Sequence, residues 1–414
     1  MSAKHMPSTK GPEVQADDKL GKITLFSFGI GIVSLIASGA IGQSHNDQWA
    51  NFLHSYLTNF SYFLSIALGA LFFVTLQHLT RAGWSVTLRR QAELICNALP
   101  ILALLFLPNI ITTLMGNHEL YAWTNHALAK TDHMLHLKEP YLNIPFFAGR
   151  CAFYFLFWVC LARYFNKKSL EQDESGEVLN TLQMEKVSAP GMVVLALTIS
   201  FAAVDLVMTL EFHWFSTIIG VYYFAGCFMS CLACLILGSK YLQSQGKIGE
   251  FINVEHYHDL GKLLFGFVFF WGYIGFSQYM LIWYASMPEG TQWYIVRKTG
   301  EWNYMVWFLI LGHFFIPYVG LISRHAKRRT RILACWAVWL LFFHWVDHYF
   351  MVMPTMSSHG HALAGEIPFS ILDLTCFLGI GGMFVGTIGY AMRGKKLIPI
   401  QDPRLKEALS YENF

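Results

Sequence analysis

The sequence predicts an all-α membrane protein with ten transmembrane helices. Of its 414 residues, 55% are hydrophobic and only 13% are charged, a composition typical of polytopic membrane proteins. Ten apolar stretches are long enough to span a bilayer, since about 20 residues cross the hydrocarbon core. Lys and Arg also concentrate in alternate connections, as expected for an even number of spans.

The ten predicted spans follow one another along the chain with mostly short connections. They lie near residues 21–43, 58–80, 92–115, 141–165, 190–212, 216–240, 260–286, 301–323, 331–353 and 367–392. Only Phe212–Ser216 separates the fifth span from the sixth, which predicts a tight hairpin. The first 20 residues are too long and too acidic for the basic start of a signal peptide, so we expect the first span to stay uncleaved.

The distribution of Lys and Arg predicts that both termini are cytoplasmic. Of the 29 Lys and Arg residues, 24 lie in or beside the two tails and the even-numbered connections. Four lie in the opposite connections: Lys130, Lys138, Arg297 and Lys298. By the positive-inside rule, the side with the larger share is the cytoplasm.

The chain reads as one membrane domain between two polar tails. We predict a cytoplasmic tail over 1–20, a ten-helix domain over 21–392 and a second cytoplasmic tail over 393–414. The amino-acid sequences near the ends of spans three and seven are similar, which favours two related four-helix bundles. These are spans 2–5 (58–212) and spans 6–9 (216–353), flanked by spans 1 and 10. Glycines recur in these two flanking spans and would let neighbouring helices approach closely.

Ionisable side chains inside the spans are the main functional signal. A charge in the bilayer core costs several kcal/mol at least, so such residues normally mark a proton route, a ligand site or a buried ion pair. His344, Asp347 and His348 are spaced three and four apart and share one helix face. With ionisable residues of other spans they form the predicted proton-transfer set: Asp205, His313, His344, Asp347, His348 and Asp373.

Two further groups accompany that set. Arg150, with Glu211 and His213 at the end of span five, is predicted to form an electrostatic or quinone-site group, and Asp205 is the favoured partner of Arg150. A static ion pair that only joins two helices remains an open alternative. His78, His258 and Lys262 are weaker candidates for cytoplasmic proton uptake.

The sequence predicts no metal site and no cofactor bound by this chain. All eight Cys lie within spans, where Cys is a small apolar packing residue, and no CxxC pair or CxxCH motif occurs. One haem between His313 and His344 is a minor alternative. Gly-rich phosphate loops are absent, which disfavours an ATP-driven pump, and nothing indicates nucleic-acid binding.

Several stretches resemble a known family. They are LYAW at 120–123, KEPYLN at 138–143 with Arg150, DLVMTLEFHWFSTIIGVYYFAG at 205–226, FSQYMLIWYASMPEGTQWY at 276–294, HALAGEIPFS at 361–370, and DPRL at 402–405 with Glu412 and Asn413. With the ten spans, they resemble the NrfD/polysulfide-reductase-like membrane subunits, and most closely the shorter quinone-binding subunit (subunit 2) of bacterial alternative complex III.

This resemblance implies a place in the bacterial inner membrane, within a quinol:cytochrome c, or other electron acceptor, oxidoreductase. It implies a longer paralogous ten-helix subunit as a partner, and extracytoplasmic partner subunits that carry iron–sulfur clusters and c-type haems. It implies that this chain binds no cofactor, apart from menaquinone or another quinone as a candidate ligand. The family's better-supported quinol pocket lies in the longer subunit.

We therefore interpret the chain as a subunit of a respiratory quinol oxidoreductase that takes part in proton transfer, with quinol binding as a candidate role and no independent activity. Two alternatives stay open. One is a secondary transporter with a solute site between the two bundles, and the other is a purely structural membrane platform of the complex.

Overall fold

The fold is described from a computed structural model, which covers residues 18–44, 47, 49–286, 288–358 and 365–412. Within these ranges the regular elements are helices and no β-strand is formed. Most of the predicted tail 1–20, the start of the HALAGEIPFS segment and Asn413 lie outside the described residues.

Ten helices are long and apolar enough to cross a bilayer, which confirms a multi-pass membrane protein. They are α1 (Gly21–Ser44), α2 (Ala50–Leu79), α3 (Val86–Leu114), α4 (Ile144–Ser175), α5 (Val178–Leu210), α6 (Ile219–Ser244), α7 (Val254–Ala285), α8 (Trp302–Ile322), α9 (Thr330–Met356) and α10 (Ile371–Met392). Short helices lie in the connections: Ala122–Thr124, His126–Thr131, His133–Lys138, Pro288–Lys298, Arg324–Arg328 and, near the C-terminus, Leu405–Leu409.

Several helices are longer than their apolar stretches. The predicted fifth span starts at Pro190, whereas α5 begins at Val178 and keeps Pro190 in its interior. Its first turns are polar, so hydropathy could not find them although the backbone hydrogen bonds continue. The predicted hairpin between spans five and six is present, because α5 ends at Leu210 and α6 begins at Ile219.

The third span is a chain of short helices. It consists of Val86–Cys96, Leu99–Leu105 and Leu107–Leu114. Pro100 and Pro108 each lie in the first turn of the following piece. Proline has no N–H to donate and clashes with the preceding turn, so each piece restarts where a proline permits it.

Helix α2 lies at the centre of the protein. It contacts α3, α5, α6, α9 and α10, and nearly all of its residues are buried. Its closest neighbour is α6, because a Cβ atom on Gly69 would collide with the Cys227 carbonyl group. On the other side, α10 packs along α1, where a Cβ on Gly382 would lie 2.7 Å from the Gly31 Cα. Gly31 of the first span and Gly382 of the last span therefore face each other.

The C-terminal segment identifies one end of the helix array. Asp402 pairs with Arg89 at the start of α3, Arg404 with Glu185 in the first turns of α5, and Tyr411 donates to Asp259 at the start of α7. We call this end the tail face. The connections that contain 115–143, 211–218 and 288–301 lie at the other end, the opposite face.

Replacing Gly69 with Ala is expected to destabilise the protein by about 1–3 kcal/mol, because the added methyl group would force α2 away from α6. Gly39→Ala is the matched control, since a Cβ there would meet nothing within 4 Å. Thermal unfolding of the detergent-extracted protein measures both. Equal melting temperatures for the two variants would contradict the close α2–α6 contact.

Candidate functional site

Helix α9 carries three ionisable residues into the interior of the protein. His344, Asp347 and His348 are each no more than 1% exposed. Their spacing of three and four residues puts them on one face, which α9 turns toward α2 and α6. His313 of α8, fully buried, lies next to them, with its ring centroid 6.3 Å from that of His344. The structure thus brings together four of the six predicted proton-transfer residues, here called the α9 cluster.

Two serines of α2 hold the imidazoles of α9. Ser65 Oγ lies 2.8 Å from His344 Nε2, and Ser61 Oγ lies 2.9 Å from His348 Nδ1. The serines are four residues apart on α2 and the histidines four apart on α9, so the two pairs form matching rungs between the helices. The two imidazole rings are 4.6 Å apart.

The hydrogen bonds of the serines assign the tautomers of the two histidines. Each hydroxyl donates its only hydrogen to a carbonyl of its own helix, Ser65 to Tyr62 at 2.6 Å and Ser61 to Thr58 at 3.0 Å. The imidazoles must then be the donors in the rungs, because a serine oxygen can still accept. In the neutral rings this leaves His344 Nδ1 and His348 Nε2 as acceptors, and neither has a partner among the described residues.

The carboxylate of Asp347 is held by two aromatic donors. Tyr222 Oη donates to Oδ1 at 2.5 Å, and Trp271 Nε1 donates to Oδ2 at 3.1 Å. The Trp271 ring lies 4.1 Å from the His313 ring. Neither nitrogen of His313 has a hydrogen-bond partner in the described part of the chain. Buried polar groups are nearly always satisfied, so the unpartnered nitrogens of His313 are candidates for hydrogen bonds to internal water.

Two features of the neighbouring helices, a π-turn in α8 and a glycine in α6, make space for the side chains of the α9 cluster. Helix α8 widens into a π-turn over Ile310–Phe315, and Trp339 Nε1 donates to the Gly312 carbonyl there at 2.7 Å. Such turns occur frequently at functional sites. On α6, a Cβ at Gly226 would lie 2.6 Å from His344 Cε1, so the imidazole fits only against glycine.

A buried arginine caps the helix that carries the α9 cluster. Arg297 Nη2 donates to the Met351 carbonyl at 2.8 Å and Nε to the Phe350 carbonyl at 3.1 Å. The guanidinium lies 3.5 Å from the centroid of Trp293. A cation at the C-terminal end of a helix interacts favourably with its carbonyls, so Arg297 fixes the last turns of α9 beyond His348.

The predicted pairing of Arg150 with Asp205 is confirmed. Arg150 donates twice to the buried carboxylate, from Nη2 at 2.7 Å and from Nε at 2.9 Å. Tyr154 adds a third hydrogen bond at 2.8 Å. The guanidinium also lies 3.8 Å from the ring centroid of Tyr141. This satisfied pair joins α4 to α5, and within the described ranges no hydrogen bond or ion pair joins Asp205 to the α9 cluster.

Asp373 completes the start of α10. Its Oδ2 accepts the Ser370 N–H at 2.9 Å, and Oδ1 accepts the Ser55 hydroxyl of α2 at 2.6 Å. This reciprocal arrangement with Ser370 is a capping box. Asp373 therefore has a structural contact set of its own, and its predicted role in proton transfer stays a prediction.

Glu211 and His213 lie on the opposite face. His213 Nε2 lies 2.6 Å from Asp132 Oδ2, and Nδ1 lies 3.5 Å from Glu211 Oε1. Burial alone would raise the pKa of Asp132, but hydrogen bonds from the Leu135 amide and from His213 hold it below its ordinary value. The three residues form a partly exposed charged group in the connections, away from the interior hydrogen bonds of Arg150.

The three candidates for proton uptake do not form one group. His78 at the end of α2 is fully buried and stacks on Phe165 with ring centroids 5.2 Å apart. His258 and Lys262 lie at the start of α7, where Lys262 pairs with Asp259. All three belong to the tail face, but they lie at two different helix junctions.

The sequence did not identify the partners of the predicted residues. Ser61, Ser65, Tyr222 and Trp271 are residue types that are common in apolar spans, so their identity alone carries no signal. The spacing of Ser61 and Ser65 on one face of α2 was the available indication. It becomes informative only once α2 is known to face α9.

Comparison with protein-family models and with curated proteins found no match to this chain.

Proposed function

We propose that this chain is an integral membrane subunit of a respiratory quinol:electron acceptor oxidoreductase, in which it transfers protons. The geometry of the α9 cluster carries the proposal. His344 and His348 each hold one nitrogen against a serine and leave the other as a buried acceptor without a partner in the described residues. Imidazole gains and loses a proton near neutral pH, and a positioned imidazole is a common general base.

The chemistry of quinol oxidation matches such acceptors. Each quinol loses two protons with its two electrons, and each hydroxyl needs a nearby group that takes the proton. Asp347 follows His344 by three residues on α9, and Tyr222 and Trp271 hold its carboxylate toward α6 and α7, whereas the two imidazoles contact serines of α2. The transfer of a proton between an imidazole and this carboxylate is part of the proposal. His313, near His344, extends the series into α8.

The proposed setting follows the resemblance of the sequence to the alternative complex III subunits. It comprises the bacterial inner membrane, cytoplasmic termini and two four-helix bundles, α2–α5 and α6–α9. Helices α4 and α5 contact each other, as do α6 and α7, while α2 also packs against α6 and α9 of the second proposed bundle. The concentration of Lys and Arg on the tail face supports a cytoplasmic location for that face.

In this setting the chain itself binds no redox cofactor. Partner subunits would carry the iron–sulfur clusters and c-type haems, and a longer paralogous subunit would provide the main quinol pocket. Menaquinone or another quinone is the candidate ligand of this chain. The resemblance alone assigns electron transfer to the partners. Within the described residues no group of His, Cys, Asp and Glu is arranged to hold a metal ion.

Gentle detergent extraction of the native assembly tests the proposal. We expect c-type haem and iron–sulfur subunits to purify with the chain, and a reduced-minus-oxidised spectrum with the bands of c-type haem. A colourless chain that purifies alone would contradict the respiratory role. Solute uptake by that isolated chain in proteoliposomes would then establish the transporter alternative.

A further inference from the structure

A second set of buried charges lies at the tail face, far along the sequence from the α9 cluster. Arg89, Arg90 and Glu93 occupy one turn and a half of α3, and each is at most 2% exposed. Asp173 of α4 and Asp402 of the C-terminal segment face them. We call these five residues the tail-face cluster.

Asp402 has an arginine of its own, whereas Asp173 shares Arg90 with Glu93. Asp402 pairs with Arg89. Asp173 accepts from Arg90 Nη2 at 2.6 Å and also accepts the Ile400 amide at 2.8 Å. The same arginine donates to Ser169 Oγ at 3.0 Å.

Glu93 is the third carboxylate of the tail-face cluster, and no arginine is paired with it alone. Arg90 Nε lies 3.1 Å from its Oε2, and the Ser169 hydroxyl is beside it, but neither oxygen makes a hydrogen bond of standard geometry within the described residues. Two guanidinium groups thus face three carboxylates. An uncompensated buried charge is costly, so the cluster is best balanced when Glu93 carries a proton or is solvated by water.

The neighbouring cations are more exposed than the five residues of the cluster, and two of them, Arg81 and Arg404, share the carboxylate of Glu185. Lys395 and Lys396 lie at the rim of the cluster and are partly exposed to solvent, which screens their effect. Burial, and then the charge of Arg90, hold the pKa of Lys395 below its ordinary value, whereas Glu93 raises it. Lys396 Nζ approaches the Asp173 carbonyl at 3.5 Å rather than a carboxylate.

Further buried polar atoms without partners lie in neighbouring helix ends of the tail face. Both nitrogens of His78 are unpartnered in the described structure, as are Asn166 Nδ2, Ser85 Oγ and Thr87 Oγ1. His78 stacks on Phe165, the residue before Asn166, and Arg89 lies within electrostatic range of both His78 and Glu93. Unsatisfied groups of this density in native proteins are normally bridged by internal water.

We infer that the tail-face cluster and His78 enclose a site for internal water, and that Glu93 accepts protons there from the tail side. A hydronium ion from bulk water gives its proton to the Glu93 carboxylate and leaves a water molecule. The inference deepens the proposed function and rests on it for the use of the proton. It assigns proton uptake to Glu93 rather than to His258 and Lys262.

The C-terminal segment covers this site. Arg90 Nη1 donates to the Lys396 carbonyl at 3.2 Å, and Leu397 and Ile398 are fully buried. Asp402 closes the other side through Arg89. Water must therefore pass at the edge of this segment, beside Lys395.

Radiolytic hydroxyl-radical labelling of the extracted native assembly tests the site itself. Radicals form from water, so a buried side chain is labelled only where water lies beside it. We expect His78 and Phe165 to be labelled several-fold faster than Phe60 and Phe73, which are equally buried in apolar surroundings. Equal, background labelling of all four would show a dry site and overturn the inference.

Turnover of the native assembly tests the role of Glu93. We expect E93Q to assemble, because Arg90 keeps Asp173, and to lose at least about tenfold in quinol turnover, within the range of general acid–base effects. E93D should recover part of the loss. E171Q, an exposed partner of Lys168 on the same face, is the matched control and should be unchanged.

The outcomes separate this inference from the proposed function. Wild-type turnover in E93Q alongside slow turnover in D347N overturns the role of Glu93 and leaves the proposed function intact. Wild-type turnover in both variants overturns both. Labelling judges the water site independently of either result, because it needs no activity.

Discussion

Replacing Asp347 with Asn is expected to slow quinol oxidation by the native assembly by about 10²–10⁴-fold, the usual contribution of a positioned acid–base group. The carboxylate is buried, and within the described residues Tyr222 and Trp271 donate its hydrogen bonds. Asn keeps the shape but cannot carry the proton. The Asn side chain also turns its NH₂ group toward either Tyr222 or Trp271, both of which are donors. The lost hydrogen bond costs about 1–3 kcal/mol of stability, which should leave the fold intact.

Tyr222→Phe is the control for this prediction. It removes the 2.5 Å hydrogen bond and leaves the carboxylate, so it should retain most of the turnover. Size-exclusion chromatography of both variants checks assembly, and steady-state oxidation of a soluble quinol analogue measures turnover. An intact Asp347→Asn assembly with wild-type turnover would remove Asp347 from the proton route.

Breaking the Arg150–Asp205 pair is expected to destabilise the protein by about 3–5 kcal/mol, because it leaves one charge buried without its partner. Asp205 is fully buried and accepts three hydrogen bonds, two of them from Arg150. Asp205→Asn and Arg150→Met should each lower the melting temperature strongly. The double variant should lose much less than the sum of the two, since neither charge then remains alone.

These three variants form a double-mutant cycle, and the exposed pair of Lys167 and Glu171 provides the comparison. We expect a coupling energy of about 0–1 kcal/mol between those two residues. Thermal unfolding of the extracted protein measures the stabilities, and quinol turnover is measured on the same samples. If Asp205→Asn unfolds like the wild type but has lost turnover, the pair works in proton transfer and is not merely a joint between helices.

The sequence was sufficient to predict the ten helices, because each apolar stretch is long and polar connections separate them. It also indicated the α9 face, since His344, Asp347 and His348 follow helical spacing. The pairing of Arg150 with Asp205 could be predicted because both are charged and each lies in an otherwise apolar neighbouring span. Such residues are rare enough that few partners compete.

The contacts between distant segments could not be predicted. Asp402 lies 313 residues from Arg89 in sequence and pairs with it only because the C-terminal segment folds back over α3. Glu93 lies at the start of the predicted third span, close to two arginines, and the sequence does not show that α4 and the C-terminal segment bury all three. The donors Tyr222 and Trp271 likewise depend on how α6 and α7 are placed against α9.

Proton release during quinol oxidation by the native assembly in sealed proteoliposomes tests whether the α9 cluster transfers protons. A pH indicator outside the vesicles and another trapped inside would follow one round of turnover in the wild type and in Asp347→Asn. We expect protons to appear on the side of the opposite face in the wild type, with release delayed or lost in the variant. Release of equal rate and extent in both would contradict a proton-transfer role for this chain.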